Sequence, residues 1–150
     1  MKKIDLTAYA IARMTNNNGI NKEWLFGAAF GIERSTHDHT RYDMASDYMV
    51  DGIGYSVKAS HFTLMTGSLC EGRTTFDGIW NLYESKVHSD RFVYITDDCT
   101  AYIMTLAEFK QLVYEFGRLE RDSSKNGGHA KIRCLRESKK MREWFKAQVA

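Results

Sequence analysis

The sequence predicts an α/β fold, with a central mixed β-sheet flanked by helices. Three observations predict it. Short runs of β-branched and aromatic residues alternate with amphipathic stretches of helical period. Two segments, 46–60 and 91–105, read as strand, tight turn, strand. The chain has 150 residues, 43% hydrophobic and 13% aromatic, which is the length of one domain with enough apolar side chains for a core.

Residues 4–15 read as a helix, with Leu6, Ala10, Ile11 and Met14 near one face. NNNGIN breaks it and supplies an N-cap at Asn21. A second helix is expected over about 22–34. Trp24, Leu25, Ala28 and Ile32 form one stripe of it, and Phe26, Ala29, Phe30 and Glu33 an adjoining one. STHDHTRYDMA (35–45) is a polar loop. A hairpin follows, 47–50 and 55–60, turned by DGIG. Gly67 and Gly72 make 61–73 read as a surface loop.

The next helix spans 74–86, with Phe76, Ile79, Trp80 and Tyr83 on one side. RFVYITDD (91–98) and TAYIMT (100–105) form an antiparallel hairpin. LAEFKQLVYEF (106–116) is an amphipathic helix buried through Phe109, Leu112, Val113 and Phe116. After the polar loop DSSKNGGH, AKIRCL (130–135) is a short strand with alternating basic side chains. The last helix starts near Glu137. It turns Met141, Trp144 and Phe145 inward and Lys139, Arg142 and Lys146 outward. The order is α-α-β-β-α-β-β-α-β-α in a single domain without internal repeats.

Composition narrows the classes of function. No apolar run approaches the ~18 residues of a membrane span. MKKIDLTAYAIARM carries Asp5 and Arg13 behind its basic start and reads as a helix, not a signal peptide. Cys70, Cys99 and Cys134 are far apart, odd in number and without a CxxC pair, which suits small core thiols in a reducing, cytoplasmic setting. The net charge of +2 is uneven: residues 1–117 carry 11 Lys/Arg against 15 Asp/Glu, and 118–150 carry 10 against 4. A basic end on an otherwise acidic chain suits phosphate binding, and it equally suits a solvated final helix. The phosphate loop GxxxxGK[ST], the dinucleotide fingerprint GxGxxG and the GxSxG elbow are all absent. His37-Asp38-His39 has ligand-like spacing, but no further Cys or His stands at a zinc spacing, so it reads as polar loop.

The segment richest in chemistry is SDYMVDGIGYSVKAS (46–60). Asp47 opens its first strand. Ser56 and Lys58, two apart, share one side of the second. Phosphodiester hydrolysis uses hard oxygen ligands for a metal and a cation near the attacking water, and two adjacent strands can hold both.

On Asp47-Tyr-Met-Val and Tyr55-Ser56-Val57-Lys58-Ala59-Ser60 the chain resembles the PD-(D/E)XK nuclease superfamily, in particular its small single-domain type II restriction endonucleases. The likeness extends loosely over 22–117. It implies a restriction-endonuclease-like fold, a Mg²⁺-dependent (or Mn²⁺-dependent) DNA endonuclease of restriction or mobile-element type, double-stranded DNA as partner, and a homodimer. It implies Asp47 as metal ligand and catalytic carboxylate, and Lys58 as catalytic cation.

The chain departs from the pattern at Ser56, where the motif has an acid. Some family members with Ser-Val-Lys draw the second acid from a helix a little over a dozen residues on. Glu71, thirteen after Lys58, stands near that spacing. Others use a glutamate on the first core helix, which points to Glu33, the preferred candidate; Asp43 and Asp51 are lesser ones. In this reading His37, His39 and His61 approach DNA, and Lys131, Arg133, Arg136 and Lys139 contact phosphates. The alternative is a nuclease fold without catalysis that binds nucleic acid or a protein, such as a phage inhibitor of host defence; an interaction domain without a nucleic-acid role is the third.

Overall fold

The computed structural model describes residues 1–14, 22–31, 47–65, 70–122, 129–134 and 137–149. In chain order the elements are β1 (Lys2–Asp5), α1 (Thr7–Met14), α2 (Lys22–Ala29), β2 (Tyr48–Val50), β3 (Ile53–Ala59), β4 (Phe62–Leu64), α3 (Phe76–Lys86), β5 (Arg91–Ile95), β6 (Thr100–Met104), α4 (Leu106–Phe116), β7 (Gly117–Asp122), β8 (His129–Cys134) and α5 (Lys139–Val149). The fold is α/β, with a mixed five-stranded sheet, order β1-β6-β5-β3-β2, and a three-stranded sheet, order β4-β8-β7.

The central strand is β5, and its sequence says why. RFVYI is apolar on both faces, so it is stable only where both are covered. Phe92 and Tyr94 face one core, Val93 and Ile95 the other, and all four are fully buried. The first core is built with α3, α4, α5 and the inner face of the three-stranded sheet, through Ile79, Trp80, Tyr83, Phe109, Leu112, Ile132, Met141 and Phe145. The second is closed by α1 and α2, through Leu6, Ala10, Leu25 and Phe26, with Tyr48 and Val57 of the sheet. Strand β3 runs parallel to β5 in the register Ser56↔Phe92, Val57↔Val93, Lys58↔Tyr94. A parallel pair needs a crossover, and α3 provides it. Thr75 caps α3 by accepting from the Gly78 amide.

Several boundaries differ from the sequence reading, each for a local reason. The helix expected over 4–15 begins at Thr7, because Asp5 accepts from the Thr7 amide (2.9 Å) while Lys2–Asp5 pair with β6. The helix expected over 22–34 stops at Ala29: Gly31 adopts φ +66, a left-handed conformation that ends helices. Residues 32–34 lie outside the described ones. Trp24, expected on an apolar stripe, is 49% exposed, and Leu25, Phe26 and Gly27 carry the packing. The turn of the first hairpin is two residues, Asp51-Gly52, both at positive φ, so β3 starts at Ile53 and not at Tyr55.

The loop expected over 61–73 contains β4, paired with β8, and buries Phe62, Leu64, Met65 and Cys70. Strand β7 was not expected at all: GRLERD is a charged edge strand with little apolar alternation.

Gly117 joins α4 directly to β7. A Cβ there would collide with the Val113 carbonyl oxygen and lie 2.9 Å from Ile132 Cγ2. Both neighbours sit in the first core, where little can move. Gly117→Ala is therefore expected to destabilise the fold by about 1–3 kcal/mol, read as an earlier urea midpoint; an unchanged midpoint would mean that this junction is looser than the packing implies.

Candidate active site

The hairpin β2–β3 forms because Asp51-Gly52 supplies the twisted two-residue turn and Tyr48, Tyr55 and Val57 have an apolar side to bury. Asp47 lies at its open end. The Asp47 amide donates to the Tyr55 carbonyl (2.9 Å), which is already opposite Tyr48. Two residues thus oppose one, as in a β-bulge, which re-aims the first of them. The Asp47 carboxylate then accepts the Val57 amide through Oδ2 at 2.8 Å. A side-chain oxygen occupies the place where a further main-chain carbonyl of β2 would stand, and the carboxylate is held on the backbone between Ser56 and Lys58.

Val57 points into the second core, so Ser56 and Lys58 point toward the first. Ser56 is 3% exposed, Asp47 7%, and Lys58 half-buried. Beside Lys58 in register stands Tyr94, whose hydroxyl donates to the Ser60 carbonyl at 3.0 Å. Burial, with the charges of Glu137 and Asp97, holds the Tyr94 phenol well above its usual range. Burial pushes the Cys134 thiol up to about 12, and the charge of Lys58 acts against that rise. Lys58 therefore sits where the end of β8 meets the five-stranded sheet. Tyr83 of α3 is raised by burial and further by the charge of Asp47. The structure thus brings Asp47, Ser56 and Lys58 together along β3, with Ser56 and Lys58 on the face turned to the first core.

The other candidate residues divide. Glu71, at φ +49, is exposed and ion-paired with Lys86, whose hydrogen bond holds its carboxyl below the usual value. His61 is exposed just past Ser60, itself at φ +60. Lys131 and Arg133 are half-buried on the face of β8 opposite Ala130, Ile132 and Cys134. Arg133 is paired with Glu120 at 3.7 Å and stands in register with Arg118. Lys139 is exposed at the start of α5. Glu33, His37, His39, Asp43 and Arg136 lie outside the described residues.

Among the described residues no group of three His, Cys, Asp or Glu could hold a metal ion. Mg²⁺ is commonly held by one or two carboxylates, completed by water and substrate phosphate. Asp47, a hard oxygen donor, meets the lower end of that requirement, and Ser56 adds only a neutral hydroxyl. No helix among the described residues is long and apolar enough to cross a membrane.

The sequence reading put Tyr83 on one side of its helix with Phe76, Ile79 and Trp80 and gave it no further role. Its spacing from Ile79 and Trp80 is that of any buried helical face, and it packs in the first core. Comparison of the chain with protein-family models, curated proteins and solved structures finds no match.

The Asp47–Val57 bond separates structure from chemistry. Asp47→Ala removes the acceptor of a buried amide and is expected to cost about 1–3 kcal/mol. Asp47→Asn keeps a carbonyl oxygen there and should stay within about 1 kcal/mol of the parent by urea denaturation. Equal losses in the two variants would mean that the charge, not the hydrogen bond, holds the hairpin end.

Proposed function

We propose that this chain is a divalent-metal-dependent endonuclease that hydrolyses phosphodiester bonds in double-stranded DNA, of restriction or mobile-element type and acting as a homodimer. One observation carries the reading: Asp47 is fixed on the Val57 amide between Ser56 and Lys58 at the end of a rigid hairpin. The parallel β3–α3–β5 crossover supports it, because both β3 and β5 are anchored in two cores, so the groups on β3 are preorganised.

Asp47 would hold Mg²⁺ or Mn²⁺, with Glu33 as the preferred second carboxylate. The bound ion would supply charge neutralisation at the phosphate and the leaving oxygen. Lys58 keeps an ammonium beside that position, where it orients the attacking water and stabilises developing negative charge. Glu71 is the weaker second acid, since Lys86 already neutralises it at the surface. Lys131 and Arg133, on the outer face of β8, and Lys139, exposed at the start of α5, would contact phosphates farther along a bound duplex.

A second reading, nucleic-acid binding without cleavage, is favoured by Ser56 standing where the family acid would be and by the Glu71–Lys86 pair.

Plasmid cleavage in Mg²⁺ and in Mn²⁺ tests the proposal. Lys58→Ala is expected to slow cleavage at least about 100-fold, the usual loss for a group that stabilises transition-state charge, while salt-sensitive DNA binding persists. Equal cleavage by parent and variant would sink it. Binding without cleavage in either metal would favour the second reading.

A further inference from the structure

The outer face of the three-stranded sheet is polar at each described position. Thr63 of β4, Arg133 of β8 and Arg118 of β7 stand side by side in one row, and Lys131 and Glu120 face each other in the next. Three cations therefore share this face with one carboxylate. Two features of it cost stability. Arg118 and Arg133 are directly opposite across neighbouring strands, a like-charge pairing that destabilises a sheet. The Arg133 Nε–H is buried and has no hydrogen-bond partner among the described residues, and folded proteins rarely leave such a donor unpaired. Glu120 does not relieve either feature in full. Its Oε2 lies 3.7 Å from Arg133 Nη1, an ion pair too long for a hydrogen bond, and it leaves Nε untouched.

An anion between the two arginines removes both costs at once. The Nε–H and a terminal N–H of a guanidinium make a fork for two oxygens of one anion. A planar carboxylate presents both its oxygens to one such fork. A tetrahedral phosphodiester can also turn oxygens toward a second guanidinium, about 5 Å away on the next strand. Lys131 follows Arg133 by two residues on the same face, about 7 Å along β8. That step is close to the separation of successive phosphates on a nucleic-acid strand, so a repeating anion meets both cations where a single one meets only the arginines.

We propose that Arg118 and Arg133 form a cross-strand clasp for one backbone phosphate of duplex DNA, with Lys131 on the next phosphate and Glu120 as an internal competitor that the phosphate displaces. The duplex as occupant rests on the proposed nucleic-acid reading, and the clasp makes no use of cleavage. Arg118 carries most of the claim: it is exposed on a charged edge strand, and no other role in the fold accounts for it.

The test measures binding of a labelled DNA duplex by fluorescence anisotropy in EDTA, over a series of salt concentrations, alongside thermal unfolding. Arg118→Gln should melt no lower than the parent, because a like-charge opposition is lost. It should bind about tenfold more weakly, the worth of a hydrogen bond to a charged group, and flatten the slope of log affinity against log salt by about one. Glu120→Gln should bind more tightly, by up to about fivefold, the worth of an exposed ion pair. Unchanged affinity and slope in Arg118→Gln, or weaker binding in Glu120→Gln, overturns the clasp. So does displacement of the duplex by polyglutamate at equal charge concentration, which would assign the face to an acidic protein. Plasmid cleavage in Mg²⁺ separates this result from the hydrolase reading. A parent that cleaves while Arg118→Gln binds normally keeps the hydrolase and loses the clasp. A parent that binds through Arg118 without cleaving keeps the clasp and loses the hydrolase. A parent that binds no duplex overturns the clasp.

Discussion

The parallel pairing of β3 with β5 is the constraint on which the rest of this structure depends. Strand β5 is apolar on both faces and takes the centre of the sheet. Its parallel neighbour must then also lie between two cores. Strand β3 meets that demand with Val57 on one side, while Ser56 and Lys58 enter the other. Polar side chains are thereby carried into a largely buried setting by strand periodicity alone. Asp47 joins them because the hairpin ends in a bulge, and its carboxylate completes the β3 backbone at Val57. One register thus places a carboxylate, a hydroxyl and an ammonium along a few residues of backbone.

Second elements are fitted around that register. Helix α3 must return the chain from the end of β3 to the start of β5, and in doing so packs Ile79, Trp80 and Tyr83 into the first core. The three-stranded sheet closes the same core from the far side and ends β8 near Lys58. The basic side chains of β8 are turned outward because Ala130, Ile132 and Cys134 are needed inside. The uneven charge of the sequence therefore has a structural carrier, although Glu120 and Glu137 already engage Arg133 and Arg142.

Much of this was legible in the sequence where periodicity is long or two-faced. LAEFKQLVYEF forms the helix Leu106–Phe116 within the expected bounds, helped by the capping box of Thr105 and Glu108. RFVYI and TAYIM form the expected hairpin. What escaped was short or charged. Four residues of β1 and three of β4 are too few to show a period, and GRLERD becomes a strand only because β8 offers it an edge. The candidate site was legible only as a layout. That Asp47 and Lys58 lie on one hairpin could be read from the strand pattern, while their roles came from the resemblance. The surroundings of Asp47 could not, because the amide of Val57 that its carboxylate accepts is fixed only by the bulged end of the hairpin. The pairing of Glu71 with Lys86 was equally hidden, being a contact across fifteen residues of connector.

The claim on which the account turns is that Asp47 is the metal-binding carboxylate. The direct measurement is paramagnetic broadening of backbone amide resonances on titration with Mn²⁺, in the parent and in Asp47→Asn. The account predicts broadening centred on residues 47 and 56–58 that disappears in the variant while the fold is kept. Broadening centred instead on Glu71, or unchanged in Asp47→Asn, would contradict it.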